Sequence, residues 1–251
     1  MTTQTRGRVR VEDGQKRIRA QIGGVTIADS ANVKMVWEVP YYPTYYFPQD
    51  SVRMDLLIDS GETKRSPARG TANLFDITIR DRTVAQAARI WNEAKIEDIE
   101  GHVSFDWNSM DAWFEEDEVV YVHARDPYTR IDVLQSSRTI RVEVDGVVVA
   151  ESDKARLLFE TGLPVRYYLP KTDVNFEYLT STGTATSCPY KGTARYWSID
   201  TAGNTHDDLV WGYDTPLRES QEVAGFVAFY NEKLDIYVDG VLEEKPKTVF
   251  G

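Results

Sequence analysis

Cys188-Pro-Tyr-Lys-Gly192 sets a thiol three residues before an ammonium group, a spacing that favours the thiolate and therefore a nucleophile. Pro189 stiffens the segment, and Gly192 lets its backbone approach a ligand closely. The competing reading makes Cys188 a small buried hydrophobe and Lys191 a surface charge. A second cluster spans Glu160 to Asp173, where Glu160, Arg166, Tyr168 and Asp173 are spaced for a strand, turn and strand to gather them at one rim. Arg166 there suits bidentate capture of a carboxylate or phosphate, or else an ion pair with Glu160. A third cluster, with His123 and Arg125 in His123-Ala-Arg-Asp-Pro-Tyr128, falls between the two halves of the chain, where it lines a pocket or forms an inter-domain ion-pair network. Tyr168, Trp197 and Trp211 are expected to supply apolar walls, although the pairs Trp197/Phe75 and Trp211/Trp91 read first as core.

Other chemistries find little support. Cys188 is accompanied only by His102, His123 and His206, with no Cys-x-x-Cys pair and no His-Glu-x-x-His, so a zinc site is not expected. The glycine-rich dinucleotide and phosphate loops and the Gly-x-Ser-x-Gly elbow do not occur, so nucleotide cofactors bound by those routes are not indicated and the cofactor is left unknown.

The elements that must position these residues come in duplicate. Residues 17–57 align without a gap on 139–179, at a constant offset of 122, and 12 of the 41 positions are identical. Chance would give roughly two or three, so the chain is an internal duplication. The same offset lays Ser66-Pro-Ala-Arg-Gly-Thr-Ala72 on Cys188-Pro-Tyr-Lys-Gly-Thr-Ala194. Two domains are therefore expected, 1–115 and 116–251, the second retaining the reactive residues, with the boundary somewhere between Phe105 and Arg130. Strand periodicity dominates: Ile140, Val142 and Val144 alternate with Arg141, Glu143 and Asp145 ahead of an Asp145-Gly146 turn, and Gly23-Gly24 serves the first copy. Further turns are read at Asp13-Gly14 and Asp239-Gly240, and one more strand over Phe114–His123. Helix is limited to one short piece per domain, Pro216–Gly225 and about Lys95–Gly101. Val84–Trp91 has helical composition, yet its counterpart ending at Trp211 looks extended, and strand is the expectation.

Composition bounds the partners. With 29 Lys and Arg against 40 Asp and Glu, the net charge is −11, which repels phosphate backbones and argues against nucleic acid. Apolar runs are far too short to span a bilayer, so no membrane role is read. The single cysteine excludes an intramolecular disulfide and, with no signal-like segment after Met1, points to the cytoplasm.

Cys188-Pro-Tyr-Lys-Gly-Thr-Ala-Arg-Tyr-Trp197, Tyr167–Val174, Trp211-Gly-Tyr213 and Ala224–Tyr230 resemble the family called domain of unknown function 427, in its tandem form. Phe114–Glu118 and His123–Tyr128 resemble the junction of those tandem members. The resemblance implies a small all-β domain similar to the β-tent folds of the Mss4-like group, twice. It also carries a nucleotidyltransferase label, but no Asp-x-Asp pair after a Gly-Ser is present to hold magnesium. The resulting expectation is a protein that binds a small anionic molecule in a pocket of the second domain or at the junction. Lys191 and Arg166 would hold the anion, and Cys188 would line the pocket or attack. The alternatives are a non-catalytic interaction module and nucleotidyl transfer.

Overall fold

A computed structural model describes residues 9–201 and 203–248. The chain divides into two compact units, 1–126 and 127–251, each carrying the same two sheets. The first unit contributes β1 (Arg10–Asp13), β2 (Ile18–Ile22), β3 (Val25–Ser30), β4 (Lys34–Val39), β5 (Tyr42–Phe47), β6 (Leu57–Ser66), β7 (Gly70–Ile79), β8 (Arg82–Ala94), β9 (Val103–Phe105), β10 (Ala112–Glu115) and β11 (Glu118–Val120). The second contributes β12 (Ile131–Gln135), β13 (Ile140–Val144), β14 (Val147–Ser152), β15 (Arg156–Glu160), β16 (Arg166–Pro170), β17 (Leu179–Cys188), β18 (Gly192–Thr201), β19 (Asn204–Tyr213), β20 (Phe226–Phe229), β21 (Asp235–Val238) and β22 (Val241–Leu242).

Strand order repeats without exception. The large sheets run β1-β4-β5-β9-β8-β7-β6 and β12-β15-β16-β20-β19-β18-β17, the small ones β11-β10-β2-β3 and β22-β21-β13-β14. Period-two alternation drives this arrangement, because Ile140, Val142 and Val144 of β13 are buried while Arg141 and Glu143 between them are not. Those residues pack with Val149, Leu169, Ile199, Val227 and Phe229 in one inter-sheet core. The first unit repeats it with Ile18, Ala20, Ile22, Phe47, Ile77 and Phe105. Both predicted hairpin turns have positive φ at both central residues, +57° and +74° at Gly23-Gly24, +52° and +76° at Asp145-Gly146.

Several expectations are corrected. The boundary falls at Asp126 rather than at 115, because the segment read as one strand over Phe114–His123 is the β10-β11 hairpin, folded back at Glu116 (φ +53°) and paired through β10 to β2. Asp13-Gly14 is not a hairpin turn: β1 pairs with β4, and the Gly14 amide donates to Val33 O. The two short helices are 3-10 turns, Glu97–Ile99 and Arg218–Val223, the latter kinked at Ser220. Val84–Trp91 is strand, inside β8.

Each large sheet buries a second layer on its outer face. In the second unit this layer comprises Leu158, Tyr168, Ala194, Tyr196, Trp211, Tyr213, Val223 and Ala228, and in the first Val36, Tyr46, Ala72, Trp91 and Ile99. Two of the residues singled out for chemistry, Tyr168 and Trp211, lie here.

Candidate functional site

Strand alternation sends Tyr167 and Leu169 of β16 into the inter-sheet core and turns Tyr168 to the outer layer. Its hydroxyl accepts from the Trp211 indole at 3.1 Å, and burial pushes its ionisation far above the ordinary tyrosine range. Lys191, in the turn between β17 and β18, reaches back to the end of β15 and pairs with Glu160, both side chains almost buried. Arg166 does not meet Glu160. Its guanidinium donates bidentately to Glu232, at 2.6 and 2.7 Å, and to Asn231 Oδ1, while lying 5.5 Å from the Trp211 ring and 5.9 Å from that of Tyr230. Burial opposes ionisation of Glu232, but the hydrogen bonds from Arg166 and Thr248 outweigh it and hold its pKa below the ordinary value. Burial also pushes Tyr230, beside Tyr196, up to about 12. Both cations expected to hold an anion thus already face carboxylates of the protein.

The first unit repeats the motif with different residues. Arg69 takes the place of Lys191, pairs with Glu38 at 2.5 Å, donates to Tyr46 Oη at 2.9 Å and stacks 4.7 Å above Trp91. The cation and carboxylate at these positions are therefore common to both copies. Strand register also revises one pairing. Arg89 and Trp211 sit opposite Ser104 and Ala228, and these in turn oppose Tyr46 and Tyr168. The counterpart of Trp211 is therefore Arg89, and that of Trp91 is Tyr213. Gln86 and Asp208, at φ +50° and +53°, mark the same bulge in each copy and fix this alignment.

The remaining candidates lie elsewhere. Asp173 accepts from Ser152 at 2.6 Å and from Thr172, away from Arg166. Trp197 packs against the inter-sheet core, and the partly exposed Lys171 Nζ lies 5.3 Å from its ring. Cys188 is half-buried at the end of β17, paired in register with Gly192, in the position where Ser66 accepts two hydrogen bonds from Arg69. His123 and Arg125 belong to the first unit. The Arg125 amide donates to Glu115, and its guanidinium lies 3.6 Å from Glu118.

His123 borders the more enclosed concavity, a hollow of about 280 Å³ in the first unit. Its lining includes Glu38, Tyr42, Thr44, Arg89, Asp106, Trp107, Trp113, Val122 and His123. Two parallel aromatic stacks form parts of the wall: Trp107 on Trp113 (4.7 Å, 9°) and Tyr42 on His123 (4.0 Å, 12°). Val122 carries φ +71°, and the His123 amide bonds Tyr121 O across it at 2.8 Å, making a γ-turn of the rare left-handed form. A β-branched residue in that region is strained, and such strain concentrates at functional sites. A second hollow, of about 260 Å³, is more open and is lined by Arg130, Asp132, Phe159, Glu160 and Val165.

Burial lowers the His123 pKa below 6.5, against a weaker opposing hydrogen bond with Ala124 O. The unfolded chain then binds the proton more readily, so the contribution of neutral His123 is complete above about pH 6.5 and is lost as pH falls through that value toward its folded pKa. The first unit should lose stability between pH 7 and 5, and His123→Phe should flatten that limb in urea denaturation followed across the range. An unchanged slope would contradict burial of the neutral ring.

Compared with known families, the chain matches a domain of unknown function (DUF427) over residues 10–116 and again over 132–240. It belongs to that family. The match covers both copies, which makes this a tandem DUF427 protein, and the duplicated sheet topology agrees with it. A comparison with curated proteins finds no match. Among the described residues of this DUF427 chain, no three His, Cys, Asp or Glu side chains cluster as metal ligands, and no helix is long and apolar enough to cross a membrane. Sequence reasoning missed Arg89, Asp106, Trp107, Trp113, Tyr42 and Val122. The offset alignment held the one available signal, an arginine standing opposite Trp211, and it was obscured by pairing Trp91 there.

Proposed function

We propose that this protein reversibly binds a small molecule, and that the ligand occupies the hollow of the first domain. One observation carries the reading: the hollow, near the lower size limit of ligand pockets, combines two stacked aromatic pairs with a strained backbone turn and a few polar groups. The second domain offers less. Lys191 and Arg166 there are matched by Glu160 and Glu232, so an incoming anion must displace a nearly buried carboxylate from either cation. Binding at that site, nucleophilic attack by Cys188, nucleotidyl transfer and a purely protein-binding role are weaker readings, since none has a concavity with convergent, unmatched polar groups behind it.

The test is titration of the full chain with a panel of small planar fragments, monitored by amide and indole NMR resonances. Shifts should centre on Trp107, Trp113, Val122 and His123 and disappear in Thr44→Phe, which fills the hollow from β5. If the panel leaves those resonances unmoved, or if the shifts survive Thr44→Phe, the reading fails.

A further inference from the structure

Arg89 is the one strongly basic group among the described residues lining the hollow. Its side chain is only 18% exposed, its Nε is buried without a hydrogen-bond partner, and its nearest anion is Asp106, at 3.7 Å. That separation exceeds hydrogen-bond length, so the guanidinium, whose Nε alone is fully shielded from solvent, has no close protein acceptor. Buried guanidinium groups are ordinarily satisfied, because leaving one unmatched is costly. The second domain shows this fold doing so: Arg166, two strands over on β16, is locked by Glu232 and Asn231. In the first domain Thr44 replaces that arginine, and the cation stands instead at the position of Trp211 with its donors directed to no such clamp.

The other charged groups around the hollow narrow the choice. Glu38 is held by Arg69 and the Tyr46 hydroxyl, and burial keeps His123 neutral. Asp106 accepts from Ser109 at 3.2 Å and only loosely engages Arg89. The unmet need is thus for a planar, bidentate acceptor beside aromatic surface. We propose that the hollow takes a small aromatic carboxylate, its carboxylate on the Arg89 guanidinium and its ring against the Trp107 wall. The inference rests on the hollow being a ligand site. It adds the ligand's chemical class, with Asp106 as an internal competitor for Arg89. The volume, near the lower end for ligand pockets, suits a single-ring acid.

Benzoate, neutral benzamide and cationic benzamidine, titrated separately into the full chain, distinguish the possibilities. Benzoate should shift the Arg89 Nε–H and Trp107 indole resonances and bind at least tenfold more tightly than benzamide. Arg89→Gln should abolish benzoate binding but leave benzamide unaffected, Arg89→Lys should weaken it, and Asp106→Asn should tighten it several-fold. Should benzamide or benzamidine bind the hollow as tightly as benzoate, or should Arg89→Gln leave benzoate binding unchanged, the carboxylate assignment is overturned while the ligand site stands. Should none of the three probes move a resonance of the hollow while the fragment panel does, the assignment alone falls. Silence from both the panel and the probes ends the site as well.

Discussion

Gly70→Ala should prevent the first domain from folding or destabilise it by more than about 4 kcal/mol, whereas Gly192→Ala in the second should cost only about 1 to 2 kcal/mol. The two glycines are duplicates and share a left-handed backbone, at φ +102° and +96°. A side chain at either meets the same conformational penalty, of about 1 to 2 kcal/mol. They differ in what a methyl group would strike. At Gly70 a Cβ would lie 2.1 Å from Glu93 O and 3.0 Å from Lys95 N, both backbone atoms that cannot swing away. At Gly192 the nearest atom is Thr215 O, at 3.3 Å, and a shift of a few tenths of an ångström relieves it. In both copies the crossing segment bonds the residue before the glycine, Lys95 to Arg69 O at 2.9 Å and Leu217 to Lys191 O at 3.1 Å. The glycine therefore fixes where the paired cation of the outer layer begins. Hydrogen exchange resolved by domain would report the two losses separately, and equal effects would show that the difference in approach is not real.

Arg166→Met should destabilise the second domain by about 2 to 4 kcal/mol, the scale expected when one member of a buried ion pair is removed. The Glu232 side chain is almost wholly inaccessible and would lose its bidentate partner, keeping the hydrogen bond from the Thr248 hydroxyl. Its position toward the end of the sheet lets it relax partly into solvent, which keeps the cost near the lower half of that range. In the wild type the pair holds the Glu232 pKa below its ordinary 4.5, so the stability it brings is present above that pH and is lost as pH falls through the folded value. Without Arg166, burial acts unopposed and raises the pKa. The difference between variant and wild type should consequently be greatest above about pH 6 and shrink in acid. Arg166→Met/Glu232→Gln should recover most of the loss, since the first domain builds the same sheet with Thr44 at this position. Urea denaturation across pH 4 to 8 tests this, and a pH-independent loss that the double variant fails to recover would contradict it.

Much of the architecture was legible because it rests on local and repeated signals. Period-two alternation located β13, the Asp-Gly and Gly-Gly pairs located its hairpin and that of β2, and a gapless offset showed that whatever one copy does the other repeats. Comparison between copies even overruled helix propensity at Val84–Trp91, since strand pairing on both sides of β8 outweighs a few tenths of a kcal/mol per alanine. The boundary lies inside the expected Phe105–Arg130 window but beyond 115, because the β10-β11 hairpin belongs to the first domain by pairing with a strand near its start, and sequence distance hides such a bond.

The candidate site was less legible. Types and spacings split Glu160, Lys191, Tyr168 and Trp211 between separate clusters, and the folded sheet pairs Glu160 with Lys191 and Tyr168 with Trp211. They could not show that Glu160 would choose Lys191, because β15 and the β17-β18 turn approach each other only across the folded sheet. Nor could they show that Glu232, far along the chain, would close on Arg166. The difference between the copies drew attention to the second domain, yet in three dimensions its special cations are the satisfied ones. What the sequence determined by itself is a duplicated all-β protein of the DUF427 family, written in alternation, turns and repeat spacing, all of which act over a few residues. That the cation lining the hollow has no close acceptor was decided by tertiary structure alone, since the answer depends on which side chains from separate strands come within hydrogen-bond reach, and at Arg89 none does.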